Sequence, residues 1–542
     1  MNRQEIAKTL KLTAQLMEVH NENPFKVKSL ANAAYRLAKS GIDIEQMSLE
    51  ELEKVEGIGK SIAQKINELQ VSNELKELKQ MLSITPSGVV DMLEIKGIGP
   101  KKVAQLWKEL EVESVGELLY ACHENRLVDL KGFGSKTQDQ VKKAIEFSMI
   151  NAGKFLYAHM EEKGLGLVEW LKKKYATDLV SLTGEVRRKS EVLEKLEVLV
   201  ASSDTLLPEL EEQFPFPVDI TICKPEEFSA KLFETTGSKQ HLSMLTEAGY
   251  LTDKSAFQQA TSEEAIYRSM GLAFIPPELR EGLQEINWAK ENEIPSLIKL
   301  SDLKGILHNH STYSDGFNSL REMAEYAKQL GYEYLGICDH SQSAFYANGL
   351  KPSRVIEQQN EIDQLNKELA PFKIFKGIES DILNDGSLDY TEEMLKSFDF
   401  IVASVHSNLK MDKEKATSRL LKAIENPYTT ILGHPTGRLL LSRAGYPIDH
   451  KKIIDACAAH HVAIELNANP YRLDIDWRWI QYCIEKGVPV SINPDAHHKQ
   501  GYLDMHYGVC VARKGGLTKE TCFNALSRDE IGTYFNNRRD KN

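Results

Sequence analysis

The histidines and carboxylates that end predicted strands have the spacing of a metal-binding set. Eleven of the 15 histidines lie in the last 242 residues, and His308 and His310 are two positions apart in the apolar run GILHNHS. Residues i and i+2 of a strand point to one face, so both imidazoles could bind one ion. Seven more candidate ligands end or follow other apolar runs: Asp315, His340, Glu379, His406, His434, Asp495 and His497.

A divalent-metal centre explains these nine residues better than nine separate structural roles. A single strand histidine is usually a satisfied core residue, but burying nine such groups together without cations would be very costly. Nitrogen and oxygen ligands without cysteine favour Zn²⁺, Mn²⁺ or Fe²⁺. At three or four ligands per ion, with one bridging carboxylate, the set predicts three ions. Such ions activate water for hydrolysis, and no side-chain nucleophile is then needed.

Three Gly-x-Gly motifs near the start of the chain suggest nucleic-acid binding. They occur in VEGIGKSIA, IKGIGPKKVA and LKGFGSKTQDQV, spaced 40 and 35 residues apart. Glycine lets the backbone approach a phosphate, and a helix N-terminus offers it free N–H groups. One copy could be a tight helix–helix turn, but three copies predict helix–hairpin–helix units that bind DNA without sequence preference. The predicted contact residues are Gly57, Gly59, Lys60, Gly97, Gly99, Lys101, Gly132, Gly134 and Lys136.

The elements that must position these residues change along the chain. Residues 1–150 have apolar residues at the three-to-four spacing of helices. From about 151 to 300, strand-like runs such as LEVLVAS and PVDITICK mix with helical segments. From 301 onward, seven apolar runs alternate with helical segments, which predicts parallel strands in a closed or nearly closed barrel. The nine ligands would lie at carboxyl ends of strands, where barrel enzymes place their chemistry.

Composition excludes several other classes of protein. The 542 residues are 42% hydrophobic and 27% charged, as in soluble proteins of several domains. The chain has no apolar run of about 18 residues and no signal-like start, so we expect no membrane segment. Seven scattered cysteines without a C-x-x-C pair indicate a reducing, cytoplasmic location. The net charge of −12 does not exclude DNA, because residues 1–150 contribute only −1.

The motifs LHNHSTYSDG, ICDHS, GIESDI, VASVHS, LGHPTGR and NPDAH resemble those of the PHP (polymerase and histidinol phosphatase) domain. Their order after helix–hairpin–helix repeats resembles the bacterial family X DNA polymerases across essentially the whole chain. The resemblance implies a multidomain α and α/β fold. Its parts would be a helical domain with the first helix–hairpin–helix (1–80), a fingers-like helical domain with two more (81–150), a degenerate nucleotidyltransferase-like palm (151–232), a thumb and linker (233–300), and a PHP (β/α)7 barrel (301–542).

The resemblance also implies how the ligands divide among the ions and which residues act in catalysis. Glu379, Asp495 and His310 would be catalytic, and Arg438 in LGHPTGR would contact a phosphate. The first ion would be held by His308, His310, Glu379 and Asp495, the second by Asp315, His340 and His434, and the third by His406 and His497 with Glu379 bridging.

The middle of the chain resembles a polymerase palm whose catalytic residues have changed. Such a site needs a Gly-Ser turn for the triphosphate and three aspartates for two ions. Here Glu185 follows Gly184 at the serine position, and Lys195 and Glu197 replace an Asp-x-Asp pair, while Asp219 is kept. A two-metal mechanism needs both ions in tight geometry, so we expect a silent palm. The degenerate nucleotide site would comprise Gly184, Arg187, Arg188, Gly237 and Ser238.

These observations predict a DNA repair enzyme whose barrel is a metal-dependent 3′→5′ exonuclease that could also cleave abasic sites. It would act as a monomer on gapped, nicked or 3′-ended DNA. By the resemblance, Lys65 falls where relatives keep a Schiff-base lysine for a lyase reaction that removes 5′-deoxyribose phosphate, although a solvated lysine near phosphate explains it as well. The alternatives are a small-molecule phosphoesterase, a DNA-binding scaffold with a vestigial barrel, and an active gap-filling polymerase.

Overall fold

The protein is described by a computed structural model that covers residues 1–542 except for several short segments. The segments left out are 40–43, 45–46, 56, 96, 129, 151–152, 204–213, 215, 252–256, 258–259 and 540–542. The described chain divides into two units, Met1–Phe147 and Ser148–Asn542. The first corresponds closely to the predicted helical region, while the predicted division into five domains stays a prediction.

The first unit is helical, as the spacing of its apolar residues predicts. Each helix buries one apolar stripe; in the first, Ile6, Leu10 and Met17 are almost fully buried. The helices within the described residues are α1 (Arg3–Val19), α2 (Pro24–Lys39), α3 (Leu49–Glu53), α4 (Lys60–Ser72), α5 (Lys76–Ile84), α6 (Ser87–Met92), α7 (Pro100–Leu110), α8 (Val115–His123) and α9 (Ser135–Ile150), the last of which crosses into the second unit.

The second unit begins with a small sheet, and two of its strands lie in the predicted runs LEVLVAS and PVDITICK. β2 (Val180–Thr183) pairs antiparallel with β4 (Leu196–Ala201), which pairs parallel with β5 (Val218–Cys223). A two-stranded ladder joins β1 (Phe155–Leu156) to β3 (Val192–Leu193). The helices of this region are α10 (Tyr157–Tyr175), α11 (Gly184–Arg187), α12 (Phe228–Thr236), α13 (Lys239–Glu247), α14 (Glu263–Ser269) and α15 (Glu285–Glu291).

The rest of the second unit is a nearly closed barrel of seven parallel strands, which confirms the predicted (β/α)7 architecture. The strands pair in chain order, and a bridge between Asn309 and Ala496 links the last to the first. They are β6 (Gly305–Ile306), β7 (Tyr334–Ile337), β8 (Lys373–Asp381), β9 (Phe400–Ser404), β10 (Ile431–Leu432), β11 (Ala463–Asn467) and β12 (Val490–Asn493).

Helices cover the outside of the barrel, and apolar residues fill its interior. Phe375 and Phe400 pack there against Phe535 of the last helix, which contacts the interior residues rather than the outer face, and each ring is at most 5% exposed. The interior near the carboxyl strand ends is polar instead, and this is where the candidate ligands lie. The helices are α16 (Leu320–Gln329), α17 (Pro352–Glu368), α18 (Glu392–Leu395), α19 (Lys413–Ile424), α20 (His450–His460), α21 (Ile480–Glu485), α22 (Met505–Lys514) and α23 (Arg528–Arg539).

Candidate functional site

The structure brings all nine predicted ligands into one cluster at the carboxyl ends of the barrel strands. Each parallel strand ends at the same rim, so residues far apart in the chain meet there. Eight of the nine side chains are buried and His406, at 11% side-chain exposure, is the most open. In each of three groups of residues, the ligand atoms lie within 4.8 Å of one another. The groups are His310, Asp315, His340 and His497; His308, His310 and Asp495; and His340, Glu379 and His406.

Glu379, near the carboxyl end of β8, is the centre of the cluster. Its Oε1 lies 3.0 Å from His406 Nε2, 3.1 Å from His434 Nε2 and 3.3 Å from His308 Nε2. Its Oε2 lies 3.0 Å from His340 Nδ1 and 3.6 Å from His310 Nε2. A carboxylate that faces five imidazoles from both of its oxygens has the geometry of a bridge between ions.

The group around Asp315 differs from the predicted one. Asp315 lies 3.5 Å from His497 Nε2 and 3.6 Å from His340 Nε2, whereas His434 belongs with Glu379. Strand order explains the difference. Closure of the barrel places the segment after β12 beside the segment after β6, while β10 is next to β9, which leads to His406.

The remaining group combines the first and last strands, as predicted. His310 Nε2 lies 3.0 Å and His308 Nε2 3.5 Å from Asp495 Oδ1. Asp495 has φ of +52°, in the left-handed region that glycine, asparagine and aspartate adopt more readily than other residues. Non-glycine residues in this region cost energy and tend to occur at functional sites.

The electrostatics of the cluster fit divalent cations. Burial alone would raise the pKa of Glu379, but His406, His308 and His340 hold it well below its usual range. Burial alone would lower the pKa of His308, yet Glu465, Asp495 and Glu379 raise it well above the ordinary value. Within the part of the chain that the structure describes, several buried ligand atoms make no hydrogen bond: His308 Nε2, His310 Nδ1, Asp315 Oδ2 and Glu379 Oε2. Buried polar atoms normally make hydrogen bonds, so these nitrogen and oxygen atoms are well suited to bind metal ions.

Two further carboxylates that sequence reasoning missed orient the histidines. Glu465 accepts a hydrogen bond from His308 Nδ1 (2.8 Å) and from the backbone N–H of His434 (2.7 Å). Asp381 accepts one from His406 Nδ1 (2.6 Å). The bonds to the two Nδ1 atoms leave Nε2 of His308 and of His406 free to bind a cation. The sequence did offer a signal for each residue. Asp381 lies two residues after Glu379 and so on the same face of the strand, and Glu465 is the only charged residue in the apolar run VAIELNA.

Arg438 does not take the predicted phosphate-binding position. Its guanidinium donates to Asp476 Oδ2 (2.7 Å) and to the carbonyls of Arg472 and Leu473. These contacts within the barrel use the donors that a phosphate would need. Arg472 is closer to the cluster, because its Nε lies 3.8 Å from Asp495 Oδ2.

The altered palm residues lie together, and they neutralise one another. Strand pairing sets Glu197 opposite Asp219, and Lys195 Nζ donates to Asp219 Oδ2 at 2.7 Å. The lysine ammonium thus sits against the one aspartate that is kept. The Glu197 carboxylate covers Gly184: a Cβ added there would lie 1.8 Å from Glu197 Oε2, which also accepts the Glu185 N–H. A carboxylate of the chain therefore occupies the space in front of the Gly184 turn.

The other residues of the expected nucleotide site are engaged within the protein. Arg187 forms a two-point ion pair with Glu263 (3.0 and 2.6 Å), and Arg188 donates to Glu281 (3.1 Å). Ser238 caps α13, and Gly237 precedes it at the end of α12. Both arginines already pair with carboxylates, so neither provides an unpaired positive charge beside Gly184.

The three Gly-x-Gly motifs form three equivalent turns in the first unit. The first glycines, Gly57, Gly97 and Gly132, have φ of +86°, +98° and +86°, which favours glycine. The second glycine, at 59, 99 or 134, directly precedes α4, α7 or α9. The middle residue, Ile58, Ile98 or Phe133, is buried, whereas Lys60, Lys101 and Lys136 are exposed. The turns therefore present helix N-termini and ammonium groups to solvent.

Lys65, the candidate lyase nucleophile, lies in α4 after the first of these turns. Its Nζ forms an ion pair with Glu77, and its side chain is 22% exposed. The lyase role stays a prediction.

A polar cluster of this kind on a seven-stranded parallel barrel defines a PHP-type enzyme with helix–hairpin–helix DNA-binding turns. Residues 307–469 match the PHP domain, 1–75 a helix-hairpin-helix domain, and 89–146 a SAM-like helix-hairpin-helix tandem. The chain is 33% identical to the DNA polymerase/3′-5′ exonuclease PolX of Bacillus subtilis, over 99% of each chain. The chain belongs to this bacterial family X of DNA polymerases.

Other relatives match the barrel region alone. A protein of Thermoanaerobacter sp. (strain X514) named "Probable phosphatase" is 26% identical over 41% of this chain and 91% of its own length. A Caldanaerobacter subterraneus protein with the same designation is 30% identical over 35% of this chain and 74% of its own. Among the described residues, no helix has the length and apolar character needed to cross a membrane.

Proposed function

We propose that this protein is a DNA-processing phosphodiesterase whose barrel removes nucleotides from 3′ ends. The observation that carries the proposal is the buried cluster of nine imidazole and carboxylate groups around Glu379. The Bacillus subtilis relative, similar over its whole length, is named for a 3′-5′ exonuclease, and this supports the polarity.

The barrel residues would act by holding and orienting divalent ions. Mn²⁺, Zn²⁺ or Fe²⁺, three per barrel, would supply a hydroxide at neutral pH and stabilise charge on the phosphoryl oxygens. Glu379 would bridge two ions, and Asp315 and Asp495 would each ligate within a group of imidazoles, with His310 common to both groups. Glu465 and Asp381 fix which nitrogen of His308 and His406 faces the ions. Burial of the cluster keeps the ligand geometry rigid.

The first unit would hold DNA through its backbone. Three equivalent turns present exposed helix N-termini with Lys60, Lys101 and Lys136 beside them. Contacts of this kind read phosphates rather than bases, so binding would be independent of sequence and sensitive to salt. Gapped, nicked or 3′-ended DNA is the substrate class that such a grip would deliver to the barrel.

The palm would bind DNA without extending it. Lys195 pairs with Asp219, and Glu197 covers the turn at Gly184, so neither the two ions nor the triphosphate would find its usual partners. We therefore propose that polymerase activity is lost, although the family is named for it.

A small-molecule phosphatase is the second candidate, because the relatives named "Probable phosphatase" share the barrel region. Those proteins match 35–41% of this chain. A small substrate does not need three turns that present helix N-termini to a phosphate backbone, so we favour DNA.

The test uses end-labelled gapped duplex DNA, Mn²⁺ and the full chain. The wild type is expected to shorten a 5′-labelled strand stepwise from its 3′ end, and a chelator should stop the reaction. Glu379→Gln should reduce the rate at least a hundredfold. The control Glu485→Gln should have no effect, because Glu485 is an exposed residue at the end of α21, before β12. A Glu379→Gln variant as fast as the wild type would overturn the proposal. A duplex with one abasic site tests the second predicted activity in the same assay.

A further inference from the structure

One candidate ligand, Asp315, belongs to a loop rather than to the end of a strand. It lies nine residues after Ile306, the last residue of β6, whereas each of the other eight lies in a strand or within four residues of one. Its carboxylate nevertheless lies 3.5 Å from His497 Nε2 and 3.6 Å from His340 Nε2. Strand pairing alone does not fix a loop residue, so other contacts must hold the segment 311–316 in place.

Asp339, which precedes the ligand His340, fixes that loop. Its carboxylate is fully buried and accepts hydrogen bonds from the backbone N–H groups of Ser311 (2.8 Å) and Ser314 (3.1 Å). It also accepts from the hydroxyl groups of both serines and from the side-chain amide of Gln358 in α17. Asp339 thus ties the loop after β6 to the end of β7 and to a helix that covers the barrel.

The contacts of this loop pass directly to the ligand. The Ser314 hydroxyl, which donates to Asp339, lies 3.2 Å from Asp315 Oδ1. On the other side of Asp315, a Cβ added to Gly316 would lie 2.7 Å from the carbonyl oxygen of His310. Asp315 is therefore held between a serine that is bound to Asp339 and a glycine that packs against a residue at the strand end. A carboxylate held in this way needs little reorganisation when it binds an ion.

We propose that Asp339 is a positioning residue for one metal ion, because it holds Asp315 where that carboxylate meets His340 and His497. It acts through Asp315, without contact to the ion or the substrate. A buried carboxylate is costly unless it is well hydrogen-bonded, and packing alone would favour an apolar residue at this place. The inference rests on the proposed function and names the residue on which one of its ions depends. The other two ligand groups are built from residues at strand ends, so they should depend on Asp339 much less.

The first test titrates Mn²⁺ into the metal-free full chain by calorimetry. Asp339→Ala removes the acceptor of two backbone N–H groups, so one class of sites should weaken about 10–100-fold while the others keep their affinity. Asp339→Asn keeps an acceptor for these N–H groups, and Gln358 can turn its amide to meet the new one. The affinity of this variant should therefore stay within about threefold of the wild type. Asp399→Ala is the matched control, because Asp399 accepts the Lys376 N–H (2.9 Å) at the amino end of β9.

The second test follows the loop itself by hydrogen exchange in the metal-free protein. The amides of residues 311–316 should exchange at least about tenfold faster in Asp339→Ala than in the wild type, while those of β11 keep their rate. Ser314→Ala is a smaller change that leaves Asp339 in place, and it should weaken the same class of Mn²⁺ sites about threefold. This variant keeps the proposal testable if Asp339→Ala does not fold.

Unchanged Mn²⁺ affinity in both alanine variants, or an equal loss in every class of site, would overturn the positioning role. An Asp339→Asn variant as weak as Asp339→Ala would also overturn it, because the charge of Asp339 rather than its hydrogen bonds would then matter. Hydrolysis of end-labelled DNA by the wild type is measured in parallel. If the wild type binds Mn²⁺ as expected but leaves the DNA intact, the proposed function fails while the role of Asp339 stands, so the two failures can be distinguished.

Discussion

Substitutions of Asp381 test whether a carboxylate that is hydrogen-bonded to a metal ligand raises the affinity of the site for metal ions. Its Oδ1 accepts the Nδ1–H of His406 at 2.6 Å, and this leaves His406 Nε2 facing Glu379 at 3.0 Å. Asp381→Asn keeps an acceptor but removes its charge. A hydrogen bond to a charged group is worth about 1 kcal/mol more than a neutral one, so Mn²⁺ affinity should fall roughly fivefold. Asp381→Ala removes the acceptor, and the fall should be about 10–100-fold.

The assay titrates Mn²⁺ into metal-free enzyme by calorimetry and repeats the titration with the exonuclease rate as the signal. Both curves should move to higher Mn²⁺ in the order wild type, Asn, Ala, with most of the rate recovered at saturation. Asp389→Asn is the control, since this nearby carboxylate accepts the backbone N–H of Ser343. A reduced rate at saturation with unchanged Mn²⁺ affinity would refute this reasoning, because Asp381 would then act on the substrate.

Three further predictions concern the palm, the DNA grip and the fold. Primer-extension assays with Mg²⁺ or Mn²⁺ should show no dNTP incorporation, because Lys195 pairs with Asp219; template-dependent extension would contradict this. Gly97→Val should weaken anisotropy-measured binding to gapped DNA and lower the salt slope by about one, since φ is +98° there; equal affinity would exclude the role. The Cys510 thiol and the Glu161 carboxylate raise the pKa of His506 to about 10, so its stabilising charge is fully present below about pH 6.5 and is lost as pH rises through about 10. Because His506 is 40% exposed, His506→Gln should lower Tm by only about 1 °C at pH 6 and by less at pH 10; equal shifts would refute the pairing.

The fold was predictable where local patterns repeat. Strand–helix alternation after residue 300 predicted all seven barrel strands, and the repeated Gly-x-Gly motifs predicted three turns with the same backbone conformation. The membership of the ligand cluster followed from residue type and from position at strand ends. These features depend on neighbours in the sequence or on a rule shared by all parallel barrels.

What could not be predicted depends on contacts between distant segments. His497 joins Asp315 because the barrel closes between its last and first strands, and no spacing in the sequence reports that closure. Arg438 lies in a motif-like run, yet Asp476 and two carbonyls take up its guanidinium. Side chains of this length choose their partners from the whole fold, so motif position alone is weak evidence for an arginine's role.

The palm and the barrel balance the charge of their carboxylates in different ways. At the palm, Lys195 supplies the positive charge that metal ions would otherwise bring, so the charges of Asp219 and Glu197 are balanced without metal ions. At the barrel, only imidazoles face Glu379, and a cluster of buried carboxylates and histidines is costly to keep without metal. The two carboxylate sites thus differ in burial and in the groups beside them: the exposed Asp219 pairs with Lys195, while the buried Glu379 faces imidazoles. On this argument the buried barrel cluster requires divalent ions, whereas the pairing with Lys195 lets the palm carboxylates exist without them.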